Sequence, residues 1–374
     1  MHKRPNPRMA SKIMMIVFGL AGALAALWWA VFALQPYEVS PGQLTALYAH
    51  AKADTPVPQV QLGPVEPTTV GGTAAWARSL RYASFDGAWV IGRIVHPSDP
   101  SRPDALPSAR PVLLALHAMG RTHWRWWLGE FKGRPTIENT HLLAERALQA
   151  GHVVVALDAR GHGDRKDPQR PLIARELLRD LHLWGEREPY ERLIVDTVKD
   201  YRVLLDWIEA QPHLDAGQVR AAGYSMGAQM ALLLAGTDPR VRSVAAMVPP
   251  HLDCKVAAVA PISVAAWLAD TEVWLLTADD DEYASRSDNA ALFAALQGPA
   301  NRHLNFPGGH VLPPGYVEQL QPWLGPQARA SDATAGAQLG RALPPRDALP
   351  LTGACNALPT LFALPARTGR GRSL

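Results

Sequence analysis

The hydrophobic pattern changes period several times along this chain. From Ile13 to Leu34, 22 consecutive residues carry no charged side chain. As a helix they run about 33 Å, enough for a hydrocarbon core of about 30 Å, so the spacing predicts a transmembrane helix. A buried core helix is usually shorter and amphipathic. Trp28 and Trp29 sit near the far end, where interfacial aromatics collect. A cleaved signal peptide is the competing expectation. Its apolar region normally runs about 7–15 residues, and no clean small-x-small site directly follows this one.

Residues 35–75 are rich in Pro, Gly, Val and Thr, as in Thr55-Pro56-Val57-Pro58, and read as an extended linker. Beyond it, runs around Arg81–Ser84 and Trp89–Val95 flank Asp86-Gly87, a hairpin signal. Short apolar runs then alternate with helical spacing. Strands are expected at Pro111–His117, Val153–Asp158, Val219–Ser225, Val241–Val248, Val273–Thr277 and His303–Phe306. Helices are expected over 136–150, 190–210, 229–236, 290–296 and 315–324. This alternation predicts an α/β fold with a mostly parallel sheet covered on both faces. Residues 164–187 and 249–270 interrupt the rhythm and read as cap or surface insertions. The segment after Pro326, rich in Ala, Pro, Arg and Gly, reads as disordered.

Composition is globular, 48% hydrophobic and 19% charged over 374 residues, which suits one large domain with extensions. The net charge of +3 is unevenly placed. Residues 1–12 carry Lys3, Arg4, Arg8 and Lys12 with no acid, a charge of +4. Residues 326–374 carry six Arg against Asp332 and Asp347, again +4, which leaves −5 on 13–325. A mildly acidic body does not suit a nucleic-acid partner. The basic start favours a cytoplasmic N-terminus with residues 76–325 beyond the inner membrane, as a periplasmic or extracytoplasmic domain. The two cysteines, Cys254 and Cys355, offer neither zinc spacing nor a disulfide framework.

The strongest chemical signal is Gly223-Tyr224-Ser225-Met226-Gly227, placed between a strand pattern and a helix pattern. A serine on so sharp a turn needs small neighbours, and its hydroxyl is then presented at the carboxyl end of the sheet. The hydroxyl is a weak nucleophile until a base takes its proton. His310, in Phe306-Pro307-Gly308-Gly309-His310, follows the last strand and fits that role. His303 begins a strand and reads as structural. An acid is expected after the strand ending at Thr277, where Asp279, Asp280 and Asp281 stand. Asp281, followed by Glu-Tyr-Ala, is favoured, and Asp280 is the alternative. The oxyanion that forms on a substrate carbonyl needs two backbone N–H groups. Met226 and Met119 are the expected donors. Trp124, Trp126 and Trp127 either line a pocket or wedge beneath the sheet.

Leu116-His117-Ala118-Met119-Gly120, Leu157-Asp158-Ala159-Arg160-Gly161-His162-Gly163, the serine turn, the aspartate loop and Gly309-His310 together resemble the α/β-hydrolase family, over about residues 78–325. The similarity is to its esterase and dienelactone-hydrolase-like branches. It implies an eight-stranded, mostly parallel sheet, a Ser-His-Asp triad and no cofactor or metal. It also implies a structural role for His162, with Asp158 a remote alternative acid. Ala118 departs from the glycine usual in the early loop. The expected activity is cleavage of a small-molecule ester or acyl substrate through an acyl-enzyme on Ser225. A peptidase or thioesterase on the same residues, or a non-catalytic binding protein of this fold, are the alternatives.

Overall fold

Strand patterns of Val, Leu and Ala dominate the middle of the chain, and they assemble one large sheet. The computed structural model describes residues 7–50, 58–102, 109–169 and 171–325, with side chains from Met14 onward. The basic N-terminal residues 1–6 and the tail 326–374 lie outside the described residues.

The chain opens with α1 (Pro7–Phe32) and α2 (Pro41–Tyr48). Four strands follow: β1 (Gln61–Leu62), β2 (Glu66–Val70), β3 (Thr73–Ala83) and β4 (Trp89–His96). Next come β5 (Arg110–Leu116) and a small hairpin of β6 (Glu130–Phe131) with β7 (Arg134–Pro135). The alternating part runs through α3 (Thr140–Gln149), β8 (Val153–Leu157), α4 (Ala174–Trp184), α5 (Arg187–Glu209), β9 (Leu214–Tyr224) and α6 (Met226–Thr237). It ends with β10 (Val241–Met247), β11 (Glu272–Ala278), α7 (Arg286–Ala295), β12 (Arg302–Phe306) and α8 (Tyr316–Gln319).

The main sheet has ten strands in the order β1-β3-β4-β8-β5-β9-β10-β11-β12, with β2 also on β3. The six strands from β8 to β12 pair in parallel, and β3 and β4 join antiparallel. The eight-stranded expectation is met by β3 onward. The two extra strands are β1 and β2, which lie along the free edge of β3.

The central strands are buried on both faces, so their side chains alternate between two apolar layers rather than between core and water. Val112, Leu114 and Leu116 of β5 join the layer of α5 and α6, while Leu113 and Ala115 join that of α3 and α8. In α5, Ile194, Val198, Tyr201, Leu204, Leu205 and Ile208 make one broad buried stripe.

One sequence expectation needs correction. Residues 35–75 are not an extended linker throughout. They hold α2, β1, β2 and the start of β3, although 51–57 lie outside the described residues. Leu44 and Tyr48 are fully buried, and the Tyr48 hydroxyl donates to the Ala258 carbonyl at 3.0 Å. Within 164–187, which reads as a cap or surface insertion, Ala174–Trp184 form α4, with Leu177, Leu178 and Leu181 packed toward the body.

The window Met14–Phe32 of α1 is 19 residues long, and none of its residues is buried in the body. It is therefore not a core helix. At about 28 Å it is long and apolar enough to cross a membrane.

Candidate active site

β9 runs straight into α6, and the junction dictates unusual backbone geometry. Ser225 sits there at φ 55°, ψ −118°, a conformation that costs an ordinary residue on the order of 1–3 kcal/mol. The neighbours make the turn feasible. A Cβ on Gly223 would lie 2.0 Å from the Gly227 carbonyl oxygen, and one on Gly227 would lie 2.1 Å from that of Leu116. Only glycine lets strand, turn and helix approach this closely. The Ser225 N–H donates to the Met247 carbonyl of β10 at 2.9 Å, which pins the turn to the sheet.

The loop after β12 brings His310 over this serine. Its Nε2 lies 2.8 Å from Ser225 Oγ, and its Nδ1 lies 3.0 Å from each oxygen of Asp281. The Asp281 side chain is almost fully buried, and the His310 ring is largely so. Asp280, the alternative acid, is exposed, and its backbone N–H donates to the Gly308 carbonyl. Asp279 accepts instead from the Asn305 side chain at 2.6 Å. His303 stands away from the group, on β12, with its Nε2 2.8 Å from the Thr277 hydroxyl.

Sequence spacing did not single out several supports of His310. The Tyr224 hydroxyl donates to the His310 carbonyl at 2.8 Å and accepts from the Leu312 N–H at 2.8 Å. Glu282 accepts from the His310 backbone N–H at 3.2 Å. The Tyr283 ring meets the imidazole edge-on, with centroids 4.6 Å apart. Tyr224 and Tyr283 belong to the motifs around Ser225 and Asp281. Proximity to those motifs was the available signal, but their partners lie 27 to 88 residues away.

Facing the serine is the loop after β5. The close approach of Gly227 to the Leu116 and His117 carbonyls places this loop against the start of α6. The Arg121 N–H donates to the Ala118 carbonyl at 3.0 Å, and Gly120 adopts φ 72°, so Met119 rides on a tight turn. Met226 opens α6, where a backbone N–H has no intrahelical acceptor.

His117 fixes the base of that loop. Its Nε2 accepts from the Ala159 N–H at 2.9 Å, and its Nδ1 lies 2.8 Å from the Ala118 carbonyl. Only a neutral ring protonated on Nδ1 satisfies both. Burial, with His162 nearby, pushes its pKa down to about 3, which agrees with that tautomer.

Asp158 is engaged elsewhere. It accepts from the backbone N–H groups of His123 and Asp164, both at 2.8 Å, and His123 Nδ1 lies 3.0 Å away. Burial raises its pKa, but the His123 contacts outweigh this and hold it below the ordinary carboxylate value. His162 is buried, with Nδ1 2.9 Å from the Arg160 carbonyl. Trp126 and Trp127 are core residues, whereas Trp124 is half-buried and stacks on Phe131. No group of three or more His, Cys, Asp or Glu placed to hold a metal occurs among the described residues.

A parallel sheet with a serine raised on a strand-turn-helix junction and a histidine on the loop after the last strand defines the α/β-hydrolase class. The family description "alpha/beta hydrolase fold" matches residues 111–310, and the chain belongs to that family. Among solved structures, it is similar to acetyl xylan esterase 1 from Thermoanaerobacterium sp. JW/SL YS485, with a TM-score of 0.56 and 15% identity. That match covers 80% of this chain and 97% of the other. It is also similar to the acetyl xylan esterase from Paenibacillus sp. R4 (TM-score 0.53, 15% identity, covering 78% and 96%). A third is the glucuronoyl esterase from Solibacter usitatus (TM-score 0.53, 14% identity, covering 76% and 91%). At these identities the likeness is one of fold. No curated protein sequence matches the chain.

Proposed function

We propose that this protein is a membrane-anchored serine hydrolase that cleaves small-molecule carboxylic esters. The observation that carries this reading is the 2.8 Å contact between His310 Nε2 and Ser225 Oγ, with Asp281 on the opposite ring nitrogen. His310 takes the hydroxyl proton as Ser225 Oγ bonds to the substrate's carbonyl carbon. Asp281 holds the ring in the required tautomer and stabilises the imidazolium. The N–H groups of Met226 and Met119 receive the oxyanion. As the intermediate collapses, the ester C–O bond breaks and His310 delivers the proton to the departing alcohol. Water then gives its proton to His310 and its oxygen to the acyl carbon. The acid leaves, and the proton returns to Ser225.

For the anchor, α1 crosses the inner membrane with the basic N-terminus in the cytoplasm and the hydrolase body on the other side. Support comes from the length and exposure of Met14–Phe32 and from the four basic residues that precede it. The esterase names of the structural neighbours agree with this reading, though at identities that limit them to the fold.

The test is hydrolysis of a soluble acetyl ester by the full chain. Wild type turns it over, and Ser225→Ala lowers kcat by roughly 10⁶-fold, the scale of losing a triad nucleophile. Equal turnover by the two proteins would end the proposal.

A further inference from the structure

The end of α1 is not a loose tether. Three residues past Phe32, the Gln35 carbonyl accepts from Arg187 at 3.0 Å. The Arg187 guanidinium also lies over the Tyr37 ring, 4.7 Å from its centroid. The Tyr37 hydroxyl donates to Glu191 at 2.5 Å and accepts from the Ala258 N–H at 2.8 Å, while the Tyr37 N–H donates to the Cys254 carbonyl. The body is therefore held in one pose at the point where the apolar helix ends.

That point touches α4. Phe32 and Trp184 meet edge-to-face with centroids 5.1 Å apart, and a Cβ on Gly185 would lie 2.4 Å from the Phe32 carbonyl oxygen. The other end of α4 abuts the site. A Cβ on Gly120, in the loop that carries Met119, would lie 4.0 Å from that of Ala174, and one on Gly161 would lie 3.0 Å from that of Leu172. α4 has 11 residues, so one helix length of about 16 Å separates the end of the membrane span from the oxyanion loop.

The composition of α4 suits that position. Leu177, Leu178 and Leu181 pack toward the body. Ile173, Leu183 and Trp184 turn outward and are 48%, 47% and 45% exposed. Exposed large apolar side chains mark contact surfaces, here Leu183 and Trp184 at the end of α4 with Ile173 at its start, and Trp184 touches the aromatic end of a helix whose neighbouring Trp29 is 62% exposed. The charges of α4 balance, Arg175 and Arg179 against Glu176 and Asp180, with Arg179 paired to Asp180 at 2.7 Å.

From this geometry we infer that α4 lies in the membrane interface as a lid over the site, and that the substrate is a long-chain acyl ester drawn from the bilayer. This inference rests on the serine-hydrolase and anchor readings above and specifies their substrate. The scissile bond and proton transfers are unchanged; what differs is that the ester enters past α4 from the lipid side.

The test uses the full chain reconstituted in phosphatidylcholine vesicles. Two esters of one fluorophore are supplied, a palmitoyl ester partitioned into the bilayer and an acetyl ester in the water. Wild type hydrolyses both. Leu183→Asp removes an outward apolar contact and lowers palmitoyl turnover about tenfold, with acetyl turnover unchanged. If the acetyl ester is cleaved but the palmitoyl ester is not, the lipid inference falls and the hydrolase reading stands. The lipid inference falls alone in the same way if Leu183→Asp leaves palmitoyl turnover intact. If neither ester is cleaved, both readings fall.

Discussion

Asp280 and Asp281 are adjacent and chemically identical, yet only one of them reaches His310. A shift of one residue along the loop after β11 turns a carboxylate from the buried imidazole to solvent. Asp281→Asn keeps the shape but no longer fixes the histidine tautomer, and kcat is expected to fall by on the order of 10³–10⁴. Asp280→Asn is expected to change kcat less than twofold. Steady-state kinetics on a soluble ester checks the pair, and comparable losses from both would contradict the assignment. The order serine, acid, histidine was legible in the chain, as were the residue types. The choice between neighbouring aspartates depended on where β11 ends, and the strand's apolar run marks that end to within a residue or two. The supports from Tyr224, Glu282 and Tyr283 were not legible, because each depends on a loop closing back over a long stretch of chain.

At the scale of elements, legibility followed length and period. β5, β8, β9, β10 and β11 are apolar runs, and each falls within a few residues of its expected place. α5, at 23 residues, announced itself by its stripe. Residues 35–75 depart from the linker expectation because an eight-residue helix and strands of two and five residues are too short to show a period. The start of α2 did carry a signal. Ser40 caps it, Pro41 follows, and the Gln43 side-chain oxygen accepts from the Ser40 N–H at 2.8 Å. A capping box of this kind marks a helix start even where hydrophobic spacing is silent. α4 was visible only as an interruption, since Leu177, Leu178 and Leu181 serve the buried face while Leu183, Trp184 and the charges lie outward. Its place between the end of α1 and the Met119 loop comes from tertiary contacts that sequence spacing does not encode.

Over the whole molecule, an exposed apolar helix and a catalytic fold are joined by a short, firmly docked segment. The apolar helix and the fold were legible separately, one from 22 uncharged residues and the other from motifs in family order. The contacts of Phe32, Gln35 and Tyr37 that join them were not. On the orientation proposed from the charge pattern, a reporter enzyme fused after residue 330 is expected to register on the extracytoplasmic side. A cytoplasmic signal would reverse the topology, although it would leave the chemistry at Ser225 in place. That chemistry is the central claim, and covalent capture reaches it most directly. Full-length protein treated with a fluorophosphonate, then digested and mapped by mass spectrometry, is predicted to carry one adduct on Ser225 and none in Ser225→Ala. No adduct on Ser225, or equal labelling of the two proteins, would contradict the account.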